Sequence, residues 1–74
     1  MVRQQLINLL IDRFGCDGEI ELATSVDDLN LYPSDLAEIA LWFGELYGVD
    51  ATAEEIHAFE TVEDIVGHIE DRMG

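Results

Sequence analysis

The sequence turns from a loop into a helix at Leu29–Leu36, where it reads LNLYPSDL. Pro33 is the only proline of the chain and is compatible with a backbone that is entering a helix. Ser34 follows directly. Asp35 then places a carboxylate in the first turn, where its negative charge interacts favourably with the positive end of the helix dipole. This stretch therefore predicts the start of an acidic, amphipathic helix with a hydroxyl group at its entrance.

The helix that begins here is expected to run from about Ser34 to Tyr47. Gly48 is well placed to end it, because glycine readily adopts the left-handed conformation of a C-terminal cap. Apolar residues recur along the helix at steps of three and four, which puts their side chains on one face. This predicted buried stripe is formed by Leu36, Ile39, Ala40, Phe43 and Tyr47.

A first helix is predicted from Arg3 to Phe14, with Gly15 as its stop. Its apolar residues recur at the same steps: Leu6, Ile7, Leu9, Leu10, Ile11 and Phe14. Residues 15–33 then form a long connection, in which a short helical turn is predicted at Ser25–Asp28. Connections of this length in small domains are usually functional or are pinned by their own apolar side chains, here Ile20, Leu22, Val26, Leu29 and Leu31.

Two shorter stretches complete the chain. Thr52–Glu55 has the spacing of a capping box and predicts a short third helix that extends through Ile56 and Phe59. Thr61–Asp64 is a related start, with Asp in place of Glu or Gln, and opens a fourth helix whose inward face is Val62, Ile65, Val66 and Ile69. The sequence therefore predicts a single all-α domain of four helices over residues 1–74.

The charge of the chain excludes several classes of function. Seventeen Asp and Glu residues face three arginines and no lysine, so the net charge is −14. Such a surface repels the phosphates of nucleic acids and attracts basic protein surfaces. Cys16, the only cysteine, excludes an internal disulfide and suits a reducing compartment. The start is unlike a signal peptide and no apolar run has membrane-spanning length, so the expected location is the cytoplasm, away from membranes.

Several short segments together resemble one known family. They are Asp28–Leu31, Glu38–Ile39, Phe43, Tyr47–Val49 and Glu60–Ile65. Their spacing and the acidity of the chain resemble the acyl and peptidyl carrier proteins, with an ungapped match over about residues 25–69. The resemblance implies a four-helix, acyl-carrier-protein-like bundle with a long first loop and a short third helix.

The chain departs from this family at the residue that carries the chemistry. In the family an Asp-Ser-Leu triplet opens the second helix, and its serine carries a 4′-phosphopantetheine arm. The ungapped match puts Tyr32 at the Asp, Pro33 at the serine and Ser34 at the leucine. Pro33 has no hydroxyl group and cannot form the phosphodiester. Ser34 has one, but a shift of one helical residue rotates a side chain by about 100° and moves it about 1.5 Å along the axis.

Two interpretations of Ser34 stay open at this point. Ser34 is either the N-cap, whose oxygen accepts a hydrogen bond from an amide of the first turn, or the attachment residue of the arm. Attachment requires the helix entrance to absorb the offset of one residue, and the N-terminus of a helix accommodates a phosphate group. No other hydroxyl-bearing residue lies as close to the family's attachment position.

The second helix also carries a candidate docking face for partner proteins. The resemblance implies that apolar residues among acids on this helix meet the basic surfaces of partner enzymes. A partly exposed aromatic ring in a charged rim is typical of such interfaces. Trp42 has an equal alternative, which is to pack against the first loop. The candidate docking residues are Asp35, Ala37, Glu38, Leu41, Trp42 and Glu45.

Catalytic and metal-binding patterns are weak in this sequence. Asp28–Pro33 begins like a calcium-binding loop, but Tyr32 and Pro33 break its ligand and glycine positions. His57 and His68 fall on different predicted helices with no Cys or His cluster beside them, and Cys16 has no accompanying base. The sequence therefore predicts neither an enzyme nor a metal site.

The leading hypothesis from the sequence is a carrier protein. The resemblance implies that a phosphopantetheinyl transferase attaches 4′-phosphopantetheine to Ser34. Acyl or aminoacyl groups would then be carried on that arm as thioesters for fatty acid, polyketide or related biosynthesis. The expected partners are this transferase and acyl- or aminoacyl-handling enzymes with basic surfaces, and the protein is expected to be a monomer. The alternative is a carrier-like domain without the arm that acts as an interaction or regulatory module, which Pro33 favours.

Overall fold

Four helices form the architecture of the computed structural model, which describes residues 2–16 and 19–73. They are α1 (Val2–Phe14), α2 (Pro33–Tyr47), α3 (Ala53–Ala58) and α4 (Val62–Met73). The described residues contain one isolated antiparallel bridge, between Ser25 and Thr61, and no strand. The prediction of an all-α bundle with a long first loop and a short third helix is confirmed.

The core lies where the helical stripes meet. From α2 the inward side chains are Leu36, Ile39 and Phe43, and from α4 they are Val62, Ile65, Val66 and Ile69. In α1 the buried residues are Val2, Leu6, Leu9 and Leu10, whereas Ile11 is exposed. The Tyr47 ring stacks on Phe43 at a centroid distance of 6.0 Å, and its hydroxyl donates a hydrogen bond to Gln5 of α1. The end of the α2 stripe is thus tied to α1 through Tyr47.

Local hydrogen bonds predicted from the sequence define the N-terminal starts of α3 and α4. The Thr52 hydroxyl accepts a hydrogen bond from the Glu55 N–H at 3.2 Å, and the Glu55 carboxylate accepts one from the Thr52 N–H at 2.8 Å. Thr61 and Asp64 form the same reciprocal pair at 3.3 and 3.1 Å, so Asp replaces Glu in the box without loss of either bond. Both predicted helix starts are present.

The long first loop is tied to the junction between α3 and α4. The Val26 N–H donates to the Glu60 carbonyl at 2.9 Å, and the Val62 N–H donates to the Thr24 carbonyl at 3.0 Å. Buried side chains from the loop, Ile20, Val26 and Leu31, join the core. The loop is therefore pinned by its own apolar residues, as predicted for a connection of this length.

A short turn at the end of this loop aims the chain into α2. The Leu31 N–H donates to the Val26 carbonyl and the Asn30 N–H to the Asp27 carbonyl, both at 3.0 Å. These two bonds form the Schellman arrangement that closes a helical turn. Asn30 takes the left-handed position at φ 59°, a conformation that asparagine tolerates better than most residues. The turn buries Leu31 and leaves Tyr32 at the entrance of α2.

We expect Asn30→Val to lower the free energy of unfolding by about 1–2 kcal/mol, because a β-branched side chain is strained at positive φ. Asn30→Gly should keep or slightly raise stability. Urea unfolding measures both changes. Asn8→Val, at an exposed position inside α1, is the matched control, since valine and asparagine have similar helix propensities. Equal losses in Asn30→Val and Asn8→Val would contradict a strained turn.

Candidate functional site

The entrance of α2 begins one residue earlier than the sequence suggested. Tyr32 is the N-cap, with an extended backbone at φ −96° and ψ 164°, and Pro33 is the first helical residue. The Asp35 and Leu36 N–H groups donate to the Tyr32 carbonyl at 2.9 and 3.0 Å. Ser34 is therefore the second residue of the helix, and its interpretation as the N-cap is wrong.

Proline decides this boundary. Its fixed φ and missing N–H suit the first helical position, and it pushes the residue before it into an extended conformation. The Asp35 carboxylate then accepts a hydrogen bond from the Tyr32 N–H at 2.9 Å, which satisfies one amide at the entrance. Serine's general preference for the N-cap position is outweighed by these two constraints.

The Ser34 side chain is exposed, together with its neighbours Tyr32 and Pro33. A hydroxyl group at this exposed position is open to a modifying enzyme. Because it lies in the first turn, a phosphate attached to it would face the positive end of the α2 dipole. The exposure of Ser34 and the helix dipole are therefore both compatible with a phosphodiester at this residue.

The candidate docking residues on α2 divide between two sides of the helix. Ala37, Leu41 and Glu45, spaced four residues apart, line a cleft between α2 and α3. Glu38 lies on the side that faces α1, where its carboxylate accepts a hydrogen bond from the Arg13 Nε at 2.8 Å. This hydrogen bond raises the pKa of Arg13. All of the predicted residues are exposed except Asp35, which is half-buried.

Trp42 lies at the surface, where 38% of the residue remains exposed. Its ring packs edge-on against Phe43 at a centroid distance of 4.9 Å and an interplanar angle of 83°. Leu41 and Leu46 are more exposed still, at 65% and 48%. Trp42 is not part of the buried core, and its exposed edge is continuous with the acidic, apolar surface of α2.

The cleft between α2 and α3 has a volume of about 360 Å³. Its walls include Ala37 and Leu41 of α2 and Ile56 of α3. At its base α2 comes very close to the segment that follows it, because a Cβ on Gly44 would lie 2.9 Å from the Val49 carbonyl oxygen. Gly48 makes the turn between them at φ 72°. Gly44 therefore permits the close approach of the two backbones, and Gly48 permits the turn that reverses the chain beside the cleft.

A second surface cleft lies beside the entrance of α2, and sequence reasoning missed it. It has a volume of about 420 Å³ and lies between the end of α1, the Asn30 turn and Asp35. Cys16 lines it, half-buried, with its backbone N–H bonded to the Leu10 carbonyl and its Sγ 3.9 Å from the Leu29 carbonyl oxygen. Only the folded loop brings these residues together, so no pattern in the sequence marks the cleft.

Charged contacts hold α3 against α4. The Glu55 carboxylate accepts a hydrogen bond from Arg72 and lies 3.6 Å from the Nδ1 of His68. The hydrogen bond from the Thr52 N–H lowers the pKa of Glu55, and desolvation acts in the opposite direction. The Thr52 side chain and the charges of Arg72 and His68 lower this pKa further. This cluster fixes one wall of the α2–α3 cleft.

The two histidines have different environments. His57 is exposed on α3, whereas only 12% of the His68 side chain is exposed and its Nε2 lies 2.8 Å from the Asp50 carbonyl oxygen. Among the residues that the structure describes, no group of three or more His, Cys, Asp or Glu side chains is arranged to hold a metal ion. None of the helices in the same part of the chain is both long and apolar enough to span a membrane.

Comparison with known proteins agrees with this geometry. The chain is 33% identical to an acyl carrier protein of Coprothermobacter proteolyticus over 72 residues, which cover 95% of this chain and 88% of that protein. The crystal structure of an acyl carrier protein from Thermotoga maritima has the same fold, with a TM-score of 0.81 and 18% identity. That match covers 99% of this chain and 92% of the other. No family model matches the chain.

The fold is therefore that of an acyl carrier protein. On the strength of its curated relative, the chain belongs to the acyl carrier protein family.

Because the pKa of Glu55 is lowered, the loss of stability caused by replacing this residue should depend on pH. A carboxylate whose pKa is lowered in the folded state stabilises the protein at pH values above its ordinary pKa of 4.5. This contribution is lost as the pH falls through the pKa of the folded state. We therefore expect Glu55→Gln to melt below the wild type at neutral pH, with the difference shrinking on acidification. Thermal melts between neutral and acidic pH measure it.

Glu54→Gln is the control, because Glu54 is exposed on the same helix and its removal relieves the same net charge. If the two variants change in parallel at every pH, Glu55 has no special role in holding α3.

Proposed function

We propose that this protein carries acyl or aminoacyl groups as thioesters on a 4′-phosphopantetheine arm attached to Ser34. The cargo would serve fatty acid, polyketide or related biosynthesis. The observation that carries the proposal is the exposed hydroxyl of Ser34 in the first turn of α2. Membership of the acyl carrier protein family supports it, since these proteins hold cargo for other enzymes.

The residues at the entrance of α2 fit such an arm. Ser34 would supply the oxygen of the phosphodiester, and the amide end of α2 would favour its negative charge. The arm, when attached, supplies a terminal thiol that forms the thioester. Asp35 is turned toward the Tyr32 N–H, so its carboxylate is already engaged and is held at the entrance. Pro33 keeps the helix start fixed beside the attachment point.

The α2–α3 cleft is the proposed shelter for the cargo. Ala37 and Leu41, which line it, follow Ser34 by about one and two helical turns. Apart from Glu45 and Asp50, the residues that line it are small or apolar, which suits a hydrocarbon or small acyl group better than a charged one. The cleft opens on the same helix that would hold the arm, so the cargo needs no change in the fold to reach it.

The surface of α2 is the proposed docking site for partners. Asp35, Glu38 and Glu45 surround Leu41 and Trp42 with negative charge, and the whole chain carries −14. Such a field attracts basic enzyme surfaces over a distance, and the exposed apolar side chains supply contact area once they meet. The proposed partners are a phosphopantetheinyl transferase and acyl- or aminoacyl-handling enzymes. The protein itself would be a cytoplasmic monomer without catalytic activity.

Incubation with coenzyme A and a broad-specificity phosphopantetheinyl transferase tests the attachment. Intact mass spectrometry should show the gain of one phosphopantetheine group, because the Ser34 hydroxyl is exposed beside the docking surface. Ser34→Ala should abolish the gain. Ser25→Ala removes the only other serine and should leave it unchanged. An unmodified wild type, or a gain that survives Ser34→Ala, would refute Ser34 as the site.

A second candidate function is a protein-interaction or regulatory module that has lost the arm. The observation in its favour is Pro33, which stands where the family has its serine and makes Ser34 the second residue of the helix. In this case the unmodified protein would bind a basic partner through α2 alone. Binding would then depend on the exposed side chains and the charge field, with no contribution from an arm.

This alternative predicts a dissociation constant that is independent of modification. Calorimetry measures the binding of the unmodified protein to a basic partner enzyme. This binding should weaken with added salt, because screening reduces the electrostatic attraction. Trp42→Ala or Leu41→Ala should weaken it further. Ile11→Ala, an exposed apolar position on α1, serves as the control. Salt-independent association, or equal losses in Ile11→Ala and Trp42→Ala, would exclude this docking mode.

A further inference from the structure

The α2–α3 cleft continues inward as a small cavity of about 10 Å³. The two share Ala40 and the segment Val49–Ala51 as common walls. The far side of the cavity is formed by Phe59 before α4 and by Ile65, His68 and Ile69 of α4. The cavity is therefore the inner end of the cleft that the proposed cargo would enter.

The size of this cavity limits what enters it. A volume of about 10 Å³ lies at the lower limit for a single water molecule, whereas the outer cleft holds about 360 Å³. A chain that extends beyond the outer cleft must displace one of the side chains at the inner end. The other three far-wall residues are buried in the core, since the exposed fraction is 9% for Phe59 and 2% for both Ile65 and Ile69. This leaves His68 as the residue whose displacement would lengthen the cleft.

His68 is fixed in place by three contacts. Its Nε2 donates a hydrogen bond to the Asp50 carbonyl oxygen at 2.8 Å, since a carbonyl oxygen accepts. Its ring packs edge-on against Phe59 at 5.5 Å and an interplanar angle of 72°. Its Nδ1 lies 3.6 Å from the Glu55 carboxylate. The Asp50 carbonyl belongs to the segment that the cleft and the cavity share, and the ring stands on the far side of the cavity, where it closes the inner end.

We propose that His68 closes the inner end of the α2–α3 cleft and thereby restricts this carrier to short acyl or aminoacyl groups. The inference rests on the proposed carrier function for its consequence, but the closure is a property of the unmodified protein. A long chain has to break the hydrogen bond to Asp50 and move the ring away from Phe59. A short chain leaves both contacts intact.

Benzene, added to the unmodified protein, tests the closure without any arm. In His68→Ala the inner cavity gains the volume of the imidazole ring, and small apolar cavities bind benzene. Saturable shifts of the Val49, Ile65 and Ile69 methyl signals in NMR spectra are expected for this variant and absent in the wild type. Equal binding by both proteins, or by neither, would overturn the proposal.

Two variants control this experiment. His57→Ala removes the exposed histidine of α3 and should behave as the wild type. His68→Gln retains an N–H donor for the Asp50 carbonyl and should keep the cavity closed. Binding of benzene to His68→Gln as strong as to His68→Ala would show that the hydrogen bond does not hold the passage shut. If His68→Ala fails to fold, the comparison of the acetyl- and octanoyl-loaded wild type described below still decides the proposal.

Loading the wild type from acetyl- and octanoyl-coenzyme A extends the test to cargo. The octanoyl form should melt no higher than the acetyl form, because its distal carbons find no space, whereas in His68→Ala the octanoyl form should melt higher. A wild type stabilised by octanoyl more than by acetyl would overturn the inference. Failure of the transferase to add any arm would refute the carrier function at Ser34, and the benzene measurement would still decide the closure.

Discussion

Pro33 and the hydrogen bond between the Tyr32 N–H and Asp35 fix where α2 begins and how it is rotated. In a helix each residue is turned by about 100° from the one before, so the first turn determines the direction of every later side chain. With this start, Leu36, Ile39 and Phe43 face the core. The outer face, and with it the whole candidate site, follows from the same register.

The register also bears on the departure from the family pattern that the resemblance implies at Ser34. Ser34 is displaced from the family's serine position by one helical residue, but it stays in the first turn and remains exposed. For the proposed attachment, the offset would change the direction from which a transferase approaches. It leaves the α2–α3 cleft and the acidic outer face where they are, because both are set by residues farther along α2.

Hydrophobic periodicity carried most of the prediction of the fold. The stripes of α2 and α4 are strongly amphipathic, and the capping pairs at Thr52 and Thr61 are local signals, so these helices could be located from sequence alone. The predicted start at Ser34 was wrong by one residue because serine's preference for the N-cap was weighed without the stronger effect of a proline at the first helical position. A short helical turn was predicted at Ser25–Asp28, but the left-handed conformation of Asn30 that follows it was not.

The candidate site was less predictable, for physical reasons. Ala37, Leu41 and Trp42 could be placed off the core stripe by their spacing, but which of them borders a cleft depends on how α3 packs. His68 carried no signal in the sequence, since its partners are a backbone carbonyl at Asp50 and a ring at Phe59 that only the fold brings near. Long-range contacts of this kind are absent from any local pattern.

The proposed carrier function requires that a hydroxyl at the second position of α2 takes the place of one at the first. The most direct measurement compares the rate at which a phosphopantetheinyl transferase modifies the wild type and the double variant Pro33→Ser/Ser34→Ala, which moves the hydroxyl to the family's position. The account predicts that both proteins gain the arm, the double variant faster. Modification of the double variant alone, with the wild type unchanged in mass under the same conditions, would contradict it.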